Sequence, residues 1–112
     1  MERYCLTLDM RDDPELMRQY DEQHKAVWPE IIESIKQAGI FNMEVYRLGT
    51  RLFMIMETED GFSFENKQLM DENNKTVQEW ENLMWKYQRP FTGASKGEKW
   101  VLMNRIFKLT DY

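Results

Sequence analysis

Two strand-like runs meet at Gly49–Thr50 in the middle of this chain, and a helical run lies on each side of them. No other feature narrows the possible folds as far. The first run passes through Val45–Tyr46–Arg47 and the second extends from Leu52 to Thr58, so the pair reads as a hairpin closed by a glycine turn. Upstream, Arg3 to Met10 alternates as a strand, with Tyr4, Leu6 and Leu8 on one face and Cys5 and Thr7 on the other. Asp13 then fits a helix N-cap, Pro14 the first helical position and Glu15 the first turn. Leu16, Met17, Tyr20, His24, Val27 and Trp28 follow at three- and four-residue spacing, which predicts one helix face running as far as Trp28. Pro29 lacks an N–H and crowds the turn before it, so the helix should bend or restart there and end at Gly39.

Beyond the hairpin, residues 60–91 read as helix, weakened at Asn73–Asn74 and closed by Pro90. Val77, Trp80, Met84 and Tyr87 form its apolar stripe. "TGASKGE" has the composition of a loop, and "KWVLMNRIFKL" reads as a final strand. The order β-α-β-β-α-β predicts an α+β, ferredoxin-like fold, with one antiparallel sheet and both helices on one face. The 112 residues fit a single domain, 1–112, with no internal repeat. A sheet covered on one side leaves its other face open. The nine Met and 15 aromatic residues of this chain suit burial of that face against a second copy, so a homodimer is expected.

Composition removes several classes of function. The net charge is −5 and no basic stripe occurs, which argues against nucleic acid as a partner. No apolar run approaches membrane-spanning length and no signal-like segment precedes the first strand, so a cytoplasmic protein without a membrane partner is expected. Cys5 and His24 are each the only residue of their type, which leaves little material for a metal site built from several soft ligands. "GASKGEK" lacks the Gly-Lys-Ser/Thr of a phosphate loop, and no serine sits in a nucleophile elbow.

His24 is the remaining candidate for chemistry. In "YDEQHKAVWPEI" it lies four residues after Tyr20 and four before Trp28. Histidine exchanges protons near neutrality and can carry one between two oxygens of a substrate. A tyrosine hydroxyl orients a sugar, and a tryptophan face packs against the apolar side of a pyranose ring. Trp80 on the second helical run can approach the same place, giving an aromatic pocket of carbohydrate size. Ordinary helix packing around a histidine would show the same spacing.

The stretch "Y-DEQ-H-KAV-WPE", carried by Tyr20, His24, Trp28, Pro29 and Glu30, resembles the L-rhamnose mutarotase family, and the resemblance runs through nearly the whole chain. It implies a dimeric ferredoxin-like protein that interconverts the α and β pyranose anomers of 6-deoxy-L-hexoses, with no metal or organic cofactor and a monosaccharide as partner. By position His24 matches the proton donor, Tyr20 a substrate-binding tyrosine, and Trp80 the first tryptophan of a tandem pair. Glu81 stands where the second tryptophan of that pair is expected. Met43 in "GIFNMEVY" replaces a sugar-contacting tyrosine, and Tyr46 lies three residues on. Glu81, Met43 and Tyr46 are therefore the positions expected to tune which sugar fits. "NMEVYRLGTRLFMIMETED", "LMWKYQRP" and "GEKWVLMNRIFKL" resemble the branch of the family associated with L-fucose. Two other functions remain compatible with the residues: a small haem-type monooxygenase, and a dimeric sugar-binding module without catalysis.

Overall fold

The computed structural model describes residues 1–91, 94 and 98–112. Its elements are β1 (Glu2–Met10), α1 (Pro14–Gln23), α2 (Pro29–Gln37), β2 (Ile40–Leu48), β3 (Arg51–Thr58), α3 (Phe64–Glu72), α4 (Lys75–Trp85), β4 (Gln88–Arg89) and β5 (Val101–Leu102), followed by a 3₁₀ turn at Leu109–Asp111. The sheet runs β2-β3-β1-β4, all antiparallel, with β5 also on β1. This is the expected ferredoxin-like α+β arrangement. The loop expected over 92–98 lies mostly outside the described residues.

Alternation along the strands sorts the two faces. Leu6, Leu8 and Met10 of β1 stand beside Leu52, Met54 and Met56 of β3 and are buried under the helices. Leu8, Met10 and Leu52 form one core cluster with Tyr20, Ile31, Val77, Trp80, Met84 and Tyr87, so α1, α2 and α4 all seal the same face. Leu6, Ile40, Met54 and Met56 form a second cluster, joined to the first through the half-buried Ile35, Val45 and Trp100. The opposite face carries Cys5, Thr7, Phe53 and Ile55. Gly49, at φ +58, makes the hairpin turn, and Gly39 ends α2 at φ +89, where a Cβ would stand 2.6 Å from Glu59.

Each helical run expected from sequence is two helices. Asn74 caps α4 by accepting from the N–H groups of Thr76 and Val77, which is why the Asn73–Asn74 pair divides the second run. The first run stops at Gln23, short of Trp28. Trp28 adopts φ −56, ψ 134, the extended conformation that a following proline imposes, so Val27 and Trp28 continue no helix. The final strand is also shorter than expected. Only Val101–Leu102 pairs with β1, and after Met103 N–H donates to the Cys5 carbonyl the chain departs from the sheet. Beyond it the apolar residues pair with no strand among the described residues: Phe107 stacks only on Tyr112, at 5.6 Å, and Ile106 is left 97% exposed. β4, unforeseen from the sequence, takes the other end of the β1 edge by pairing Gln88 with Met10 and Arg89 with Asp9.

Candidate functional site

Asp13 fixes the start of α1 by accepting from Glu15 N–H at 2.9 Å and Leu16 N–H at 3.2 Å. From that start the inward stripe carries Tyr20 into the core, 3% exposed, where its hydroxyl accepts a hydrogen bond from Gln88 Nε2 at 3.0 Å. Burial pushes the Tyr20 phenol up to about 12. The Gln88 bond opposes the rise, while the carboxylates of Glu81 and Asp21 add to it. At neutral pH Tyr20 is therefore a neutral phenol, a hydrogen-bond donor rather than a base.

His24 closes α1. Its backbone N–H reaches the Tyr20 carbonyl at 3.3 Å, and its ring Nδ1 lies 2.8 Å from the same oxygen. A carbonyl only accepts, so Nδ1 carries the hydrogen and the neutral ring keeps its lone pair on Nε2. Ending the helix at this point gives His24 an exposed position while holding its ring 4.3 Å from Tyr20 and 6.1 Å from Trp80. Trp28, half-buried at the head of α2, meets Trp80 edge-on at 5.0 Å. Tyr20, His24, Trp28 and Trp80 thus come together from α1, α2 and α4, with two tryptophan rings beside one imidazole and one phenol.

Two ion pairs flank this group. Arg47 of β2 donates to both carboxylate oxygens of Asp21, at 2.8 and 2.6 Å, and holds that carboxyl below its ordinary range. On the other side Lys99 Nζ, whose side chain is 13% exposed, donates to Glu81 at 2.6 Å and lies 4.9 Å from the centre of the Trp85 ring. Burial lowers the Lys99 ammonium from its usual range, against the raising effect of Glu81. Glu81 thus presents half of a charge pair.

The remaining expected site residues lie elsewhere. Met43 is on the helix-covered side but packs on the second cluster, opposite Met56. Tyr46 does not join His24: it stands opposite Phe53 on the uncovered face, 53% exposed, with its hydroxyl donating to Glu44 at 2.8 Å. The period-two geometry of a strand explains the separation, because residues 43 and 46 are an odd number apart and point to opposite faces. Sequence reasoning missed Gln88, Lys99 and the Asp21–Arg47 bridge. A two-residue strand carries no periodic signal, and a pair 26 residues apart shows no spacing rule.

Two surface clefts do not coincide with these aromatics. One of about 510 Å³ is lined by Pro29, Glu30, Glu33, Ser34, Gln37, Asn74 and Thr76, and a neighbour of about 380 Å³ reaches Asp71 and Asn73. Neither offers an aromatic face or His24. Among the described residues no group of three His, Cys, Asp or Glu side chains could hold a metal ion, and no helix is long and apolar enough to cross a membrane.

The fold matches solved structures over nearly the whole chain. An L-rhamnose mutarotase from Formosa agariphila superposes with a TM-score of 0.70 at 16% identity, covering 97% of this chain and 99% of that one. A dimeric ferredoxin-like protein from an uncultured marine organism gives 0.60 at 12% identity, covering 96% of each. This is a ferredoxin-like α+β protein. An L-fucose mutarotase of Xanthomonas campestris pv. campestris is 40% identical over 113 aligned residues, 99% of this chain and 90% of the relative. The family model for L-rhamnose mutarotase matches residues 3–109, so the chain belongs to that family of carbohydrate isomerases.

Proposed function

We propose that residues 1–112 form one cytoplasmic mutarotase domain, active as a homodimer, that interconverts the α and β anomers of a 6-deoxy-L-hexose with L-fucose preferred over L-rhamnose. The observation that carries the chemistry is the 2.8 Å contact between His24 Nδ1 and the Tyr20 carbonyl, from which the tautomer follows because a carbonyl only accepts. With Nδ1–H engaged by the Tyr20 carbonyl at 2.8 Å, Nε2 is the free base. It takes the proton of the anomeric hydroxyl as the C1–O1 bond becomes a carbonyl and the C1–O5 bond breaks. Because both oxygens stand on C1, the same nitrogen returns that proton to O5. Rotation about C1–C2 presents the other face of the aldehyde, and the reverse transfers close the opposite anomer. Tyr20, neutral at working pH, donates to a sugar oxygen, while Trp80 and Trp28 pack against the ring. Acid–base assistance of this type is worth about 10²–10⁴-fold, enough for a reaction that already proceeds unaided.

The preference for L-fucose rests on the 40% identity to the Xanthomonas enzyme. Glu81, paired with Lys99 where a second tryptophan would offer only a flat ring, supplies polar atoms able to read hydroxyl orientation. Met43 lies on the covered face as a secondary tuning position. Tyr46 would need a second copy to take part. The exposed Phe41, Tyr46, Leu48, Ile106 and Phe107 supply the apolar surface that a homodimer would cover.

Saturation-transfer proton NMR tests the activity: one anomer's H1 is irradiated in equilibrated sugar and the other's H1 is followed. Protein-dependent transfer with L-fucose, weaker with L-rhamnose, is the expected result. Equal transfer with both sugars would overturn the preference, and transfer with neither would overturn the function.

A further inference from the structure

Gln88 is a buried amide that the core does not fully satisfy. It is 2% exposed, and β4 pairing with Met10 of β1 fixes its backbone. Its Nε2 donates to the Tyr20 hydroxyl at 3.0 Å, while its Oε1 is the one buried side-chain oxygen or nitrogen without a hydrogen-bond partner among the described residues. An apolar side chain of similar length would fill this space without stranding an acceptor, and unpaired buried groups persist where something else selects them.

The direction of the hydrogen bond supplies that selection. Nε2 donates, so it occupies a lone pair of the phenol oxygen and leaves the phenolic hydrogen uncommitted to the amide. With the amide reversed, Oε1 would draw that hydrogen into the core. We infer that Gln88 is a positioning residue for the mutarotase reaction, holding the Tyr20 hydroxyl so that its hydrogen points out of the core toward a sugar oxygen beside His24. This rests on the function proposed above. The charged and titratable groups around the phenol are His24 and Asp21 from its own helix and Glu81 from α4, with the Tyr87 ring at 5.8 Å. None of them donates to the Tyr20 oxygen among the described residues, so Gln88 alone sets its direction there.

Two variants test this. Gln88→Met removes donor and orphaned acceptor together at nearly constant volume. Its melting temperature should fall by no more than a few degrees, because losing the stranded acceptor offsets part of the cost of leaving the phenol oxygen without its donor. Meanwhile kcat for anomer exchange falls about tenfold and KM stays within threefold. Gln88→Glu places a carboxyl against the phenol. When ionised it can only accept, so it pulls the Tyr20 hydrogen inward, and kcat should acquire a falling limb with rising pH that the wild type lacks. The ¹³Cζ resonance of Tyr20, assigned by its loss in Tyr20→Phe, should move over the same pH interval.

An unchanged kcat in Gln88→Met, or an effect on KM alone, would overturn the inference. If Gln88→Met fails to fold, the Gln88→Glu pH profile decides: a profile identical to the wild type overturns it. Wild-type protein that exchanges no anomers would remove the functional reading. An active wild type with indifferent Gln88 variants would remove only the role of Gln88.

Discussion

Tyr20 and Tyr46 sit on opposite sides of one sheet, and both hydroxyls hold their protons more tightly than an ordinary tyrosine, for different reasons. Tyr20 is raised to about 12 chiefly because the core around it is dry, in spite of the Gln88 bond that favours its anion. Tyr46 is exposed, and its rise comes first from its hydrogen bond to Glu44. A shift caused by burial is a property of the fold and persists in salt. A shift caused by an exposed carboxylate vanishes with that carboxylate and is screened by ions. The helix-covered side therefore offers chemistry set by its surroundings, and the open side offers surface.

The largest effect expected from this contrast is on catalysis. His24→Ala should lower exchange by about 10²–10⁴-fold while leaving the melting temperature nearly unchanged, because the ring is exposed and its hydrogen bond closes only a helix end. Tyr46→Phe should retain activity within about twofold, since an exposed side chain distant from the chemistry contributes little. Side-by-side saturation-transfer rates check both. A loss in Tyr46→Phe as deep as that in His24→Ala would break the contrast and place the open face inside the working site.

Alkaline unfolding gives the next largest effect. The native state holds the Tyr20 proton up to about 12, whereas the unfolded chain releases it near 10. The stabilisation is thus fully present below pH 10 and is lost as pH rises toward 12, about 3 kcal/mol for two units. Urea titrations of wild type and Tyr20→Phe at pH 8 and 11 should show the wild type losing more stability between them. Glu44→Gln, which removes the main cause of the Tyr46 shift, should flatten that slope only slightly, because the exposed Tyr46–Glu44 contact is screened by solvent. Parallel slopes for wild type and Tyr20→Phe would contradict burial as the cause.

The parts of this molecule legible in its sequence are those written in local periodicity. Strand alternation in β1 and the hairpin, the Asp13 cap, the weak point at Asn73–Asn74 and the Gly49 turn each depend on residues within a few positions. Tyr20, His24 and Trp28 were also legible as a group, although for an inexact reason. A continuous helix was expected to align them, whereas α1 ends at Gln23 and the extended backbone at Trp28 turns its ring to Trp80. Tyr46 falls on the face away from His24, which closeness in sequence does not reveal without strand register. Gln88 and Lys99 act through partners 68 and 18 residues away, on segments too short or irregular to carry a pattern. Pairings of that kind belong to the assembled fold and leave no local trace.

The smallest effect concerns the bridge that ties α1 to the hairpin. Asp21 accepts from Arg47 at both oxygens, and this lowers its carboxyl below the ordinary value of 3.8. A depressed carboxyl stabilises the native state above its unfolded pKa, and that contribution is lost as pH falls through the folded value. Arg47→Met should therefore cost stability at pH 7 and little at pH 2. Both partners are partly exposed, which limits the loss to about 1 kcal/mol at low salt, less in 0.5 M salt. The same variant should leave the exchange rate near wild type, because the Tyr20–Gln88 and Tyr20–His24 contacts do not pass through Arg47. A rate that falls further than the stability would show that the bridge aims α1, and that the open strand edge and the covered site are mechanically one unit.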